Sequence, residues 1–376
     1  MAEKIRNTTG RPQNVLAKEN RLNNKLSQEI LPLLPSFVAR YDDHLDTEGR
    51  SVKTRLAYAT DLVHFFEYMA GGTGLSDAPS GKDVSIKDVE RLKGSDVNDY
   101  LSYVKRYEAP DGTVVVNGKD ARARKRSSIV GLLKYLYKND LIETDITSKI
   151  MTVSVKESER AVKALQENEV AELFDVVTTG RGLTDKQAAW HEKTKYRDTL
   201  IIALFVICGL RLSELQQLNR SSFNLKREEF IIYRKRGKES VIPMNKTVLA
   251  LFEAYMENDR KRETDIASGH EDALFLCLHT EEKAKDGKKV SLGRKRLSEG
   301  QIRALVHKYT AVVIGGSGYS PHKLRATAAT MAIRRGNDIS MVASLLDHDS
   351  VQTTQRYVKV TEEDRRKVLE SLEQKN

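Results

Sequence analysis

From Leu200 to Leu210 the chain reads LIIALFVICGL, eleven residues without a charge. Surface this apolar leaves water, and it can enter either a bilayer or the interior of a folded domain. A membrane-spanning helix needs about twenty apolar residues, so this run marks the heart of a domain core. The wider stretch from Tyr196 to Leu218 (YRDTLIIALFVICGLRLSELQQL) has the apolar density of a core helix pair. The run stops on Arg211. A lone charge there is costly unless it is paired or serves a site. Glu214, three residues on, can hold the guanidinium from one helical turn away. A buried Arg–Glu pair and a binding site both satisfy that pattern.

Helical periodicity dominates on both sides of the run. PSFVARYDDHL puts Phe37, Val38, Tyr41 and Leu45 at helical spacing, and VKTRLAYATDLVHFFEYM puts Leu56, Leu62, Phe65, Phe66 and Met69 on one stripe. DVNDYLSYVKRY follows, with Ser95 as its expected N-cap. In APDGTVVVNGKD, Asp111-Gly112 and Asn117-Gly118 signal turns of a short hairpin or a loop. ARARKRSSIVGLLKYLYKNDLI completes an all-helical bundle. Residues 150–160 are largely polar and aperiodic, as a linker is. ALQENEVAELFDVV restarts helical spacing, and TTGRGLTDKQAAWHEKTK reads as an exposed insertion or loop. FIIY and SVIP are short strands joined by RKRGKE, a hairpin with a basic tip. Helices follow near 246–260 and 298–310, the second with a Ser298–Gln301 capping box. Between them DALFLCL is a strand or a buried segment. Ser320 and Pro321 suit the N-cap and first turn of another helix, and Gly336 its stop. TEEDRRKVLESLEQ is a short amphipathic helix with Val368, Leu369 and Leu372 on one face. The reading is mainly α with a small β-hairpin or sheet. It has a basic, partly disordered extension over 1–34, a helical unit over 35–148, a linker over 149–163 and an α+β unit over 164–376.

The formal net charge is +10. An excess of that size favours a polyanionic partner, because lysine and arginine release counterions from phosphates. The two cysteines, Cys208 and Cys277, sit in apolar runs as reduced, buried thiols. Neither a disulfide frame nor zinc spacing is present, and no metal or cofactor is expected. MAEKIRNTTGRPQ lacks the apolar stretch of a signal peptide. The expected compartment is the cytoplasm, at the nucleoid, with no membrane partner.

Residues near the C-terminus supply the chemistry. Ser320 to Val360 reads SPHKLRATAATMAIRRGNDISMVASLLDHDSVQTTQRYVKV. With Arg211 it orders Arg211, His322, Arg325, His348 and Tyr357. Cutting a phosphodiester with a side chain needs a nucleophile, stabilisation of a pentavalent phosphorane, a base and an acid. Tyr357 is the candidate nucleophile; its phenol, with a pKa of about 10, needs a base or cation nearby. Arg211 and Arg325 are candidate clamps, since a guanidinium gives two parallel hydrogen bonds and stays charged. His322 lies three residues before Arg325, so both face one side of a helix. It suits a general base or a phosphate donor, and His348 suits a donor to a non-bridging oxygen. Lys235 and Lys238, on the hairpin tip, suit an acid for the leaving 5′-oxygen or contacts to phosphate.

The order Arg … His-x-x-Arg … His … Tyr, carried by CGLRLSEL, SPHKLRATAAT and LLDHDSVQTTQRY, resembles the tyrosine recombinase (phage integrase) family. The resemblance covers nearly the whole chain from about Pro35. Counting back from Pro243, Lys235 occupies the place of that family's lysine, with Lys238 the fallback. The resemblance implies a helical core-binding (SAM-like) domain, then an α+β catalytic domain, clamped round double-stranded DNA at an inverted-repeat core site. It implies a 3′-phosphotyrosyl intermediate without ATP or metal, and a homotetramer on two sites joined through the C-terminal helix. The N-terminal layout looks like the Xer type, which implies dimer resolution, with an accessory recombination or translocase protein as a further partner. An integrase or excisionase of a mobile element is the alternative. The basic start Arg122, Arg124, Lys125 and Arg126 is expected to face phosphate. Two positions depart from the family's pattern. Arg325-Ala326-Thr327 replaces the usual Arg-His-Thr, and Leu346-Asp347-His348 replaces Leu-Gly-His. The second puts a carboxylate beside the histidine and is expected to raise its pKa. A type IB topoisomerase shares the residue set but would relax DNA without site preference. A silent DNA-binding regulator would have no use for Tyr357.

Overall fold

The computed structural model describes residues 13–109, 111–153, 164–234, 238–278, 281–283 and 289–347. The chain divides into two compact units, Met1–Glu159 and Arg160–Asn376. Among the described residues, no helix is long and apolar enough to cross a membrane.

In the first unit α1 (Gln13–Lys25) runs through a π-turn and a 3-10 turn into α2 (Ser36–Thr47) and α3 (Val52–Ala70). Ser51 caps α3 by accepting the Thr54 N–H at 3.3 Å. Short α4 (Ile86–Glu90) precedes α5 (Gly94–Tyr103), and long α6 (Lys119–Lys138) closes the bundle. The apolar stripe of α3 (Leu62, Phe65, Phe66, Met69) meets Tyr41 of α2, Tyr100 of α5 and Ile129, Leu132 and Leu136 of α6 in one core. The Asp-Gly turn does form a hairpin: β1 (Arg106–Glu108) pairs antiparallel with β2 (Val114–Val116). Two expectations change here. The segment before residue 35 is not a separate extension from Gln13 onward, because Leu26 and Leu34 are buried in this core. Ser95 does not cap α5. It lies inside the first turn, where the Asp96 carboxylate accepts the Lys93 N–H at 2.8 Å instead.

The second unit is built round the apolar run. In α9 (Lys195–Val206) every residue from Leu200 to Phe205 is fully buried. It packs against α7 (Glu167–Thr179), α11 (Lys246–Asn258) and α13 (Pro321–Arg334). Short α10 (Leu212–Gln217) follows α9 and leads to a three-stranded antiparallel sheet, β3 (Phe223–Asn224), β4 (Glu229–Tyr233) and β5 (Glu239–Pro243). Phe230 and Ile242 pair across β4 and β5 on the core face. A second hairpin joins β6 (Glu281–Lys283) to β7 (Lys289–Ser291). Then come α12 (Glu299–Ile314), capped by Ser298 and Gln301 as expected, α13, and α14 (Ile339–Leu346). Gly336 stops α13 with a φ of +83°. Within DALFLCL, Ala273 to Cys277 are buried but pair only through isolated bridges to Asn219 and Arg296 among the described residues, so this is a buried segment and not a strand. The supposed loop after α7 contains α8 (Asp185–His191), started by a Thr184–Gln187 capping box. Its His191 is buried against the Val177 carbonyl at 2.9 Å. The C-terminal amphipathic segment, 361–374, lies outside the described residues.

Candidate active site

The turn between α9 and α10 starts the site. Gly209 has a φ of +63°, and a Cβ there would meet Leu346 Cδ2 at 2.6 Å. Glycine therefore fits both the left-handed backbone and the close approach of α14. Its carbonyl accepts Nη1 of Arg325 at 2.6 Å, and Nη2 of Arg325 donates to the Leu346 carbonyl. One guanidinium thus ties the turn after α9 to the end of α14.

Arg211 sits two residues past that glycine, at the N-cap of α10. The Glu214 carboxylate accepts its backbone N–H at 2.7 Å and its Nη1 at 2.8 Å. This is the fork-holding pair anticipated from the spacing. Arg211 goes further, donating Nη2 to the Asp347 carbonyl at 2.7 Å and Nη1 to the Asp347 carboxylate at 3.2 Å. Burial lowers the affinity of Arg211 for its proton, but Glu214 and Asp347 outweigh burial and hold its pKa above the ordinary value. Arg325 Nη1 lies 3.8 Å from the other Glu214 oxygen. The two arginines therefore hold the carbonyls of consecutive residues, Leu346 and Asp347, with one carboxylate between them.

His322 stands in the first turn of α13, exposed, one turn before buried Arg325. Lys235, His348 and Tyr357 lie outside the described residues. Lys238 immediately precedes β5, and its Nζ is 3.7 Å from Asp347 Oδ1. Cys208 beside the turn is no nucleophile, because burial pushes its thiol up to about 12.

Two further residues belong to the site. Asp347, noted in the sequence only as a neighbour of His348, caps α14 in the left-handed conformation, φ +49°. Burial works to raise its carboxyl, but the hydrogen bond from Arg211 and the charges of Arg234, Arg211 and Lys238 prevail and hold it below the usual carboxylate value. Arg234, the residue just past β4, is not singled out by the sequence within the basic hairpin. Its Nη2 donates to the Leu345 carbonyl at 2.8 Å, and its Nη1 is 3.7 Å from Asp347 Oδ2. A charge run carries no periodicity, so the sequence could not say which of its cations turns inward.

The basic start of α6 departs from expectation. Lys125 is buried and its Nζ meets Asp61 Oδ1 at 3.2 Å, so it does not face phosphate. Arg124, exposed, pairs with the other Asp61 oxygen at 2.8 Å. Arg126 donates to the carbonyls of Met151 and Ile150 at 2.7 and 3.1 Å. Arg122 is half-buried. A helix turns these four side chains in different directions, so the run is not one basic face.

Residues 144–364 match the phage integrase family. Tyrosine recombinase XerC of Caldanaerobacter subterraneus subsp. tengcongensis is 29% identical over 348 residues, covering 90% of this chain and 86% of that protein. Tyrosine recombinase XerS of Lactococcus lactis subsp. cremoris is 24% identical over 370 residues, covering 92% and 97%. Among solved structures, the XerH site-specific recombinase bound to palindromic difH substrate superposes with a TM-score of 0.59 at 17% identity, covering 98% of this chain and 90% of that one. The Tn1549 transposon integrase in complex with transposon right end DNA gives 0.58 at 17%, covering 88% and 98%.

Proposed function

This chain belongs to the phage integrase family and is a Xer-like tyrosine site-specific recombinase acting on DNA, and we propose that Tyr357 is its nucleophile and that its task is Xer-type dimer resolution. The observation that carries the residue assignment is the meeting of Arg211 and Arg325 on consecutive carbonyls immediately before His348.

Each strand is cut as the Tyr357 oxygen attacks the scissile phosphorus and the 5′-oxygen leaves, giving a 3′-phosphotyrosyl bond. Arg211 and Arg325 hold the non-bridging oxygens, where charge grows in the transition state. Glu214 positions Arg211. His322 takes the phenolic proton, His348 donates to a non-bridging oxygen, and Lys235 protonates the leaving 5′-oxygen. The partner strand's 5′-hydroxyl then attacks the phosphotyrosine, so one ester replaces another and no ATP is required. Of the basic groups in the first unit, Arg122 and Arg124 remain phosphate contacts in this reading, and Lys238 contacts phosphate from the hairpin. The first unit, whose core reaches from Leu26 to Ile150, serves as the core-binding domain and residues 164–376 as the catalytic domain, joined by a linker that begins after residue 153. Four copies act on two inverted-repeat sites, each docking the helix at 361–374 on a neighbour, with an accessory protein to regulate exchange, in the cytoplasm at the nucleoid. The XerC and XerS likenesses over most of both chains favour the Xer role. The likeness to the Tn1549 integrase favours the second reading, an integrase or excisionase of a mobile element.

The test is covalent trapping with SDS on sheared genomic DNA, wild type against Tyr357→Phe, with the attached ends sequenced. Tyrosine-dependent ends at one inverted-repeat sequence outside any mobile element are the expected result. Ends at the borders of an element would establish the second reading. Ends scattered everywhere, or none despite DNA binding, would overturn site-specific cleavage by Tyr357.

A further inference from the structure

Where α10, the β4–β5 hairpin and the end of α14 converge, the Asp347 carboxylate sits among three cations, one from the start of α10 and two from the hairpin. Its Oδ2 lies 3.2 Å from Arg211 Nη1 and 3.7 Å from Arg234 Nη1, and its Oδ1 lies 3.7 Å from Lys238 Nζ. Arg234 is the least expected member. Its side chain is only 4% exposed, and its Nε and Nη1 make no hydrogen bond among the described residues. A buried guanidinium with donors unmet is costly unless a better acceptor visits it. A phosphodiester is such an acceptor: like a carboxylate, it offers a guanidinium two anionic oxygens, and it has the same charge.

We propose that Asp347 is a built-in stand-in for the DNA phosphate, filling the anion seat of Arg211, Arg234 and Lys238 until substrate displaces it, and that Arg234 is a third phosphate-binding cation of the site. This rests on the reading that Arg211 receives the scissile phosphate. The carboxylate is tethered at the first residue past α14, so rotation of one short side chain empties the seat. DNA that touches the protein loosely does not outcompete a tethered anion. DNA held along its length brings a phosphate to the seat at high effective concentration and does. The device makes cleavage conditional on full engagement of the site.

Inorganic sulfate probes the seat without cleavage. Thermal midpoints of the full chain are compared in sodium sulfate and sodium chloride at equal ionic strength, for wild type, Asp347→Asn and Asp347→Gly. Asparagine and glycine both accept the left-handed backbone of this position, so if one variant fails to fold the other still reports. The expected result is a saturable, sulfate-specific rise in either variant, with an apparent sulfate affinity at least tenfold above wild type. Adding Arg234→Gln to the responsive variant should cut that affinity several-fold. Covalent trapping by the Asp347 variants should show a higher ratio of off-site to on-site ends. Equal sulfate responses in wild type and variants, or no response in either variant, would overturn the stand-in. A response untouched by Arg234→Gln would overturn the third cation. Tyr357-dependent trapping is scored separately, so losing the stand-in leaves the recombinase reading intact, and the reverse also holds.

Discussion

Helix α9 carries an arginine–carboxylate cluster at each end, and the two are built to different ends. At its start Arg197 donates Nε and Nη2 to Asp198 Oδ1 at 3.0 and 2.8 Å and Nη1 to the Leu276 carbonyl at 2.9 Å. The other Asp198 oxygen accepts from Tyr309 at 2.7 Å and Thr194 at 3.0 Å, with Lys308 at 3.5 Å. Ligands come from all round, and Asp198 is 1% exposed. Past its end, the charges of Arg211, Arg325, Arg234 and Lys238 meet two carboxylates among the described residues, Glu214 and Asp347, and the Arg211 and Asp347 side chains remain about a quarter exposed. The closed cluster binds the unit together; the open one keeps positive charge in reserve. A buried arginine beside an acid is thus a fastening or a site according to whether its charge is balanced and its edge reaches solvent.

Mutations can separate the two ends. Asp198→Ala leaves Arg197 buried and unpaired, and should lower stability by about 3–5 kcal/mol, read from urea unfolding, while trapping per folded molecule is unchanged. Its acid behaviour should change too. Burial raises the Asp198 carboxyl, but Arg197, Lys308 and the hydrogen bond from Tyr309 outweigh it, so its folded pKa lies below the ordinary value. Such a group stabilises above the unfolded pKa, about 3.9, and that stability drains as pH falls through the folded value. The wild-type loss below about pH 4 should therefore be shallower in Asp198→Ala. Arg211→Ala should do the opposite: covalent trapping falls about 10²- to 10³-fold, with a smaller shift of the urea midpoint than Asp198→Ala. If Arg211→Ala unfolds the chain as badly, the contrast between the clusters collapses. Gly209→Ala should blur it by design. The positive φ costs about 1–2 kcal/mol, and moving the carbonyl that anchors Arg325 should weaken trapping as well. Lys238→Gln is the mildest. Stability should stay within about 0.5 kcal/mol, while the slope of log affinity for DNA against log salt should lose about 0.9.

The same contrast explains what could be read in advance. Arg211 was legible because a charge closing an apolar run demands a reason, and Glu214 because helical spacing puts it within reach. Arg325 was legible through its spacing from His322. The core helices followed from periodicity, which α9 and α3 show strongly. Lys125 misled because a run of basic residues says nothing about direction; its burial depends on Asp61, sixty-four positions earlier in the chain. Helix α8 was hidden because it is short, and its signal was the overlooked capping pair Thr184–Gln187. Arg234 and Asp347 lie 113 residues apart by their numbers and meet only in three dimensions. No local pattern could pair them.

The left-handed backbone at residue 347 has a consequence on an evolutionary timescale. Few residues other than glycine, asparagine and aspartate tolerate that conformation. In the genetic code an aspartate codon is a single nucleotide from asparagine and a single nucleotide from glycine. The position is therefore a three-setting dial, each setting compatible with the turn and each giving the cation cluster a different neighbour: a full negative charge, a neutral amide, or nothing. A lineage can move along it without first rebuilding α14, so the stringency of the enzyme is open to rapid adjustment while its architecture stays still.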